Sequence, residues 1–150
     1  MIYMLQERFQ NFRSAHISLG LVLLLSPLLA TIGPAVAQEA LDTASAGSAT
    51  FVKTCAGCHG SEGVGGEHGP TLHSDSFWSQ WQGQPLRRLY SRIISTMPQD
   101  DPGALTEQQV LGIVAYLTQL NTGTAPNPPV ATANDLNSIP AAPATGAAPK

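Results

Sequence analysis

The run Cys55-Ala56-Gly57-Cys58-His59 limits the possible folds of this chain more than any other feature. Its C-x-x-C-H spacing is typical of covalent haem attachment, in which two thiols add to the two vinyl groups of a porphyrin. One turn of helix separates Cys55 from Cys58 by about the span between those vinyl groups. His59 follows directly, in the position of the proximal ligand to the iron. The motif therefore predicts one covalent haem c, because the sequence contains no second copy.

Three other interpretations of the cysteine pair are weaker. A structural zinc site needs four ligands, and the adjacent Cys58 and His59 rarely close one tetrahedron. A thioredoxin-like redox pair would lie near a β-α-β pattern, and the sequence contains no strand-rich stretch. A disulfide between Cys55 and Cys58 would close a strained ring. Covalent haem is therefore the interpretation that fits the motif best.

The N-terminal segment has the features of a secretory signal. Two arginines precede a mainly apolar stretch over residues 17–30, and Ala-Val-Ala at 35–37 is a small-x-small cleavage site. The sequence therefore predicts a signal peptide over residues 1–37. The alternative is an uncleaved anchor, since residues 17–36 are just long enough to cross a bilayer. Export is expected in both cases.

Charge excludes a nucleic-acid-binding role. The whole chain carries a formal charge of −3, and residues 38–150 hold five basic and nine acidic side chains. Binding to nucleic acid would need a basic face. The one basic cluster comprises Arg87, Arg88 and Arg92, which lie off the apolar stripe of a predicted helix. We expect a solvated face there, and the alternatives are a docking patch or partners for the haem propionates.

The apolar periodicity predicts an all-α domain over residues 46–121. Helices are expected at about 48–57, 85–96 and 107–121, with a short helix near Trp81. Thr106 and Gln109 predict a capping box at the start of the last helix. Residues 38–45 are expected to be a flexible mature N-terminus. Residues 122–150, rich in Ala and Pro, are expected to be a disordered tail.

Met97 is the predicted second axial ligand of the iron. It is the only methionine after residue 37, and Pro98 turns the chain out of the preceding helix. Methionine with histidine gives a haem iron that carries electrons at a raised potential. The alternative role for Met97 is to fill a gap in the core. His68 and His73 are rival ligands, but both lie close to His59 in sequence, where reaching the opposite haem face is awkward.

Beyond this motif, the chain resembles the class I cytochromes c, the small mono-haem periplasmic kind. The family pattern of an aromatic residue, C-x-x-C-H, a G-P-x-L turn, a Met-Pro loop and a C-terminal aromatic helix is matched by Phe51, Cys55 to His59, Gly69 to Leu72, Met97-Pro98 and Tyr116. The resemblance implies a small cytochrome c fold of three to five helices around one covalent haem. It also implies a close crossing of the first and last helices at Gly47, Phe51, Ile113 and Tyr116.

The resemblance also implies the surroundings of the haem. The Pro70 carbonyl would accept a hydrogen bond from His59, and we expect the haem pocket to include Pro70, Leu72, Trp81, Tyr90 and Pro98. The run from Trp81 to Leu117 is similar to haem proteins that take electrons from quinoprotein dehydrogenases. One departure is that Lys53 is the only lysine in the domain. A partner that recognises the lysine ring of mitochondrial cytochrome c is therefore not expected.

The function implied is electron transfer in the periplasm, without catalytic residues. The expected partners are redox proteins, either a dehydrogenase, including the quinoprotein kind, or a terminal oxidase. No nucleic acid is expected as a partner, and no membrane after signal cleavage. The protein would act as a monomeric carrier or, alternatively, as an electron-accepting subunit of a dehydrogenase complex. A gas-binding or peroxidatic haem protein is a third candidate, and it requires Met97 to be off the iron.

Overall fold

The computed structural model describes residues 33–144, most of which belong to a compact unit that begins at Val36. Within these residues the chain is all-α with no strand, as the sequence predicts, apart from two isolated β-bridges. The elements in chain order are α1 (Gly33–Thr54), α2 (Ala56–His59), α3 (Asp75–Trp78), α4 (Arg87–Thr96), α5 (Glu107–Thr122) and a 3₁₀ helix (Asp135–Asn137). The predicted signal segment lies almost wholly outside the described residues.

Helix α1 corrects the prediction of a flexible segment over residues 38–45. The first helix is expected to start at about residue 48, but α1 already begins at Gly33. Ala40 and Ala44 are buried, and with Gly47 and Phe51 they follow one another at spacings of four, three and four residues. That spacing places them on one helix face. These small residues are weakly apolar, but alanine favours the helix and the face packs against the core.

The crossing of α1 and α5 brings two glycines into contact. A methyl group at Gly47 would overlap the backbone carbonyl of Gly112, so the two helix backbones touch here. Phe51 and Tyr116 pack one turn further along, with ring centroids 5.3 Å apart and planes inclined at 52°. This is the crossing that the sequence predicts, and it fixes the end of α1 from which the C-x-x-C-H turn continues.

Helices α4 and α5 provide most of the remaining core. Thr106 caps α5, and the reciprocal hydrogen bonds of the predicted capping box with Gln109 are both present. The apolar side chains of the predicted stripe, Leu89, Tyr90 and Ile93 on α4 and Leu86 just before it, are buried. Burial of such a stripe is the main source of helix stability in a globular protein.

The segment after α5 corrects the prediction of a disordered tail over residues 122–150, at least as far as Ala144. Val130, Leu136 and Ile139 are buried in the common core, and the 3₁₀ helix packs on α4. Backbone hydrogen bonds join residues 139–141 to residues 83–86, and the Trp78 indole N–H donates to the Ala142 carbonyl oxygen. Composition favours disorder in this segment, but these long-range contacts supply the apolar burial and the hydrogen-bond partners that order it.

In the described part of the chain, every helix is too short or too polar to traverse a lipid bilayer.

Candidate functional site

The C-x-x-C-H motif forms one turn of helix, as the sequence predicts. The backbone N–H groups of Cys58 and His59 both donate to the carbonyl of Cys55, at 3.1 and 3.0 Å. The Cys55 thiol is half-buried and the Cys58 thiol is exposed, and both are free. Burial raises the pKa of the Cys55 thiol, and a hydrogen bond with Thr54 only partly opposes this effect.

The His59 ring is held by the turn at Gly69-Pro70. Its Nδ1 lies 2.7 Å from the carbonyl oxygen of Pro70. A carbonyl can only accept, so Nδ1 carries the proton and donates it, which leaves a lone pair on Nε2. Neutral imidazole with a free Nε2 is the form that binds a metal. Gly69 permits this contact, because a Cβ there would lie 2.9 Å from both the Cys58 oxygen and His59 Nδ1.

A cavity of about 390 Å³ opens beside His59. Its volume lies in the range typical of cofactor and ligand sites. The wall is mostly apolar, and the exposed side chains of Ser76, Gln80 and Arg92 lie at its edge. The full set that lines it is His59, Pro70, Thr71, Leu72, Ser76, Phe77, Gln80, Trp81, Leu89, Arg92, Ile93, Met97 and Leu117.

Met97 lines the same cavity as His59, although 38 positions separate the two in sequence. It follows α4 directly, in an extended conformation, and its N–H donates to the Ile93 carbonyl at 2.9 Å. Pro98 favours this extended geometry in the residue before it. Neither rival histidine lines the cavity, and His68 is exposed.

The structure places only some of the predicted pocket residues at the cavity. Pro70, Leu72 and Trp81 line it, but Tyr90 and Pro98 do not. Tyr90 is buried in the core instead, with the Arg87 guanidinium 4.9 Å above its ring. The reason is helical geometry, since Leu89 and Ile93 are four residues apart and share the cavity face. Tyr90 is rotated about the helix axis by about 100° from Leu89.

Sequence reasoning did not assign Leu89, Ile93 and Leu117 to the cavity. All three belong to the apolar stripes of α4 and α5 and line the space beside His59 and Met97. Periodicity identifies the buried face of a helix, but it does not distinguish a face that meets other side chains from one that meets a cofactor. One sequence signal for the cavity role of Leu89 and Ile93 is that the apolar stripe of α4 lies immediately before Met97, the predicted iron ligand.

One charged side chain at the cavity is suited to an anionic edge of a ligand. Arg92 lines the cavity, whereas Arg87 lies over the Tyr90 ring and Arg88 is exposed and does not line it. Trp81 also lines the cavity, but its Nε1 is enclosed and has no hydrogen-bond partner among the residues that the structure describes.

These residues fit a covalently attached haem. The apolar wall suits the porphyrin, Arg92 suits a propionate, and His59 offers a free Nε2. A metal ion held by protein groups alone lacks support in residues 33–144. No group of three or more His, Cys, Asp and Glu side chains there is arranged to bind one.

Comparison with known families points in the same direction. A protein-family model described as cytochrome C oxidase, cbb3-type, subunit III matches residues 42–117, about half of the chain. The match contains the C-x-x-C-H turn, Met97 and most of α5, and it ends before the segment that follows α5. No curated protein and no known structure matches the chain significantly.

Proposed function

Because the chain belongs to this family of class I c-type cytochrome domains, we propose that it passes single electrons between redox proteins in the periplasm. Family membership makes it a haem c electron-transfer protein. The observation that carries the finer proposal is the placement of His59 and Met97 on one apolar cavity. Two axial ligands with no catalytic acid or base suit a carrier better than an enzyme.

Covalently bound haem c supplies a one-electron couple at its iron. Cys55 and Cys58 would hold the porphyrin through thioether bonds, and His59 and Met97 would be the axial ligands. The Pro70 carbonyl keeps the proton on His59 Nδ1, which orients the ring and increases the basicity of Nε2. The Met97 thioether is soft and uncharged, so it favours the reduced iron more than a second imidazole does.

The walls of the cavity act on the same equilibrium. Leu72, Leu89, Ile93 and Leu117 exclude water from the space beside His59 and Met97. Exclusion of water disfavours the more highly charged state of a buried redox centre, so these side chains raise the reduction potential. Arg92 at the edge adds positive charge, which acts in the same direction.

The location and the partners follow from the sequence features outside the cavity. A cleaved signal over residues 1–37 would deliver the domain to the periplasm. Residues 38–150 have more acidic than basic side chains, and Lys53 is the only lysine of the domain. This favours partners that do not recognise a ring of lysines. A dehydrogenase, including the quinoprotein kind, or a terminal oxidase would exchange electrons through a small, polar and transient interface.

A second candidate is a subunit of a larger oxidoreductase. The description of the matching family names a subunit of an oxidase, which favours a domain held permanently beside another redox centre. Both candidates use the same haem and ligands, and they differ in the lifetime of the complex. Retention of this chain with a large redox enzyme through gel filtration would favour the subunit. Isolation as a free domain that still exchanges electrons would favour the carrier.

Covalent attachment is tested by denaturing electrophoresis of the exported protein with haem staining. We expect a stained band that keeps its haem in acidified acetone. Cys55→Ala with Cys58→Ala should abolish the stain, whereas the matched variant Thr54→Ala with Gly57→Ala should keep it. Loss of haem from the unmodified protein in acid acetone would reject the assignment of both cysteines.

Methionine ligation is tested with two variants of the haem-loaded protein. Met97→Ala should remove the weak far-red band that marks methionine-ligated ferric haem, and it should open the iron to added ligands. Met97→His should keep six ligands and lower the midpoint potential. If both variants kept the original potential, Met97 would only fill the core. If the unmodified protein lacked this far-red band, a gas-binding or peroxidatic role would be favoured.

A further inference from the structure

The segment after α5 binds the irregular part of the chain that carries Trp81. Three backbone hydrogen bonds of 2.8–2.9 Å connect them: Leu86 N–H to the Ile139 oxygen, Gly83 N–H to the Ala141 oxygen and Ala141 N–H to the Gln84 oxygen. We refer to residues 130–142 as the C-terminal strap. Between α3 and α4 the chain has no helix or strand, only turns, a bend and two isolated β-bridges to the strap, so its conformation depends on partners such as these.

A side-chain contact extends the connection to α3. The indole Nε1–H of Trp78 donates to the Ala142 oxygen at 2.7 Å, and the Trp78 side chain is fully buried. Its neighbour Phe77 lines the cavity and meets Trp81 edge-on, with ring centroids 6.2 Å apart. The strap therefore contacts the chain on both sides of Trp81, through Trp78 before it and Gly83 after it.

The other end of the strap is tied to α4 and α5. The Ala133 N–H donates to Glu107 Oε1 at 3.1 Å, at the start of α5. Leu136, in the 3₁₀ helix, is fully buried, and this helix packs on α4. Helix α4 supplies Leu89 and Ile93 to the cavity wall. The strap is thus anchored to a regular helix while it binds the irregular segment.

We propose that the C-terminal strap positions the Phe77–Trp81 wall of the haem cavity and so helps to set the reduction potential. This inference rests on the proposed haem site. The strap lies outside residues 42–117, the part of the chain that the family model matches. A fixed aromatic wall excludes water and keeps Trp81 Nε1 buried. A loosened wall admits water, which stabilises the more highly charged oxidised centre and lowers the potential.

The test compares two variants of the full-length, haem-loaded protein. Each introduces one negative charge into the strap, one at a buried position and the other at an exposed position. Leu136→Asp puts a carboxylate at a fully buried position, and the matched control Asn137→Asp puts it one residue along, where the side chain is exposed. We expect Leu136→Asp to lower the midpoint potential in a spectroelectrochemical titration and to increase quenching of tryptophan fluorescence by acrylamide. The control should leave both unchanged.

If Leu136→Asp does not fold, a milder variant tests the same proposal. Trp78→Phe keeps a buried ring and removes only the donor to Ala142. A lowered potential in a folded Trp78→Phe protein supports the proposal. An unchanged midpoint potential in the folded variants would overturn it, even with haem attached and Met97 bound. Absence of covalent haem from the unmodified protein would instead reject the proposed function, and the strap proposal with it.

Discussion

The Nδ1–H of His59 donates to the carbonyl oxygen of Pro70 across 2.7 Å, and this hydrogen bond leaves Nε2 as the ring nitrogen with a free lone pair. The donor and acceptor are 11 residues apart, and the glycine-rich turn between them brings them together. The strength of this hydrogen bond should influence the reduction potential of the iron, because a histidine that donates strongly at Nδ1 is a better electron donor at Nε2.

We expect Gly69→Ala to raise the midpoint potential. The new methyl group would lie 2.9 Å from both the Cys58 oxygen and His59 Nδ1, so the turn or the ring must shift and the hydrogen bond to Pro70 must weaken. A weaker hydrogen bond stabilises the oxidised iron less. Redox titration of the haem-loaded protein measures the change. Gly57→Ala, which meets no other atoms, is the control. Equal potentials for the two variants would show that the bond does not tune the iron.

Stability should be sensitive to the helix crossing at Gly47. Gly47→Ala would drive a methyl group into the Gly112 carbonyl, and overpacking of this kind costs about 1–3 kcal/mol. Gly57→Ala is again the matched control, because its Cβ projects into open space within α2. The measurement is denaturant unfolding of the haem-loaded proteins. A Gly47→Ala protein as stable as the control would mean that the two helices can separate at no cost.

The parts of this fold that the sequence predicts are those with local signals. The C-x-x-C-H turn, the Thr106–Gln109 capping box and the apolar stripe of α4 each depend on residues within about eight positions of one another. Such patterns are determined by helical geometry, so they can be read without knowledge of the tertiary structure. Met97 was identified differently, through its uniqueness in the predicted mature chain and the proline that follows it.

The parts that were mispredicted depend on distant contacts. The face of Ala40, Ala44 and Gly47 is weakly hydrophobic, and it becomes a helix interface only because Gly112 lies opposite. The segment after α5 has a composition typical of disorder, and the acceptors of Trp78 and Leu86 in it lie more than 50 residues away. The first arrangement leaves only a weakly apolar helical spacing in the sequence, and the second leaves no periodic signal. Tyr90 was misplaced because its neighbours Leu89 and Ile93 occupy the cavity face.

The three arginines of α4 should have different effects on the iron. Arg92 lines the cavity, whereas Arg88 is exposed and does not. Removal of a nearby positive charge stabilises the oxidised iron, so Arg92→Gln should lower the midpoint potential and Arg88→Gln should leave it in place. The difference should shrink as salt concentration rises, because Arg92 is partly solvated. Identical potentials for the two variants would place the Arg92 charge too far from the iron to matter.

Asp135 should stabilise the strap in a pH-dependent way. Its Oδ2 accepts hydrogen bonds from the N–H groups of Thr132 and Ala131, at 2.8 and 3.1 Å. The hydrogen bond from Thr132 is the main reason that the pKa of the Asp135 carboxyl lies below its usual value. A lowered pKa in the folded state means that the carboxylate stabilises the fold at neutral pH. That contribution is lost as the pH falls from the unfolded value, about 3.9, through the lower folded value.

We therefore expect Asp135→Ala to lower the thermal unfolding midpoint at about pH 7 and to have progressively less effect below about pH 4. Asp100→Ala, which removes an exposed carboxylate from the loop after α4, is the control for the change in net charge. Thermal unfolding of the haem-loaded proteins, followed by circular dichroism across this pH range, provides the measurement. A constant difference between Asp135→Ala and the unmodified protein at every pH would show that lost packing, and not the lost hydrogen bonds of the carboxylate, accounts for the change.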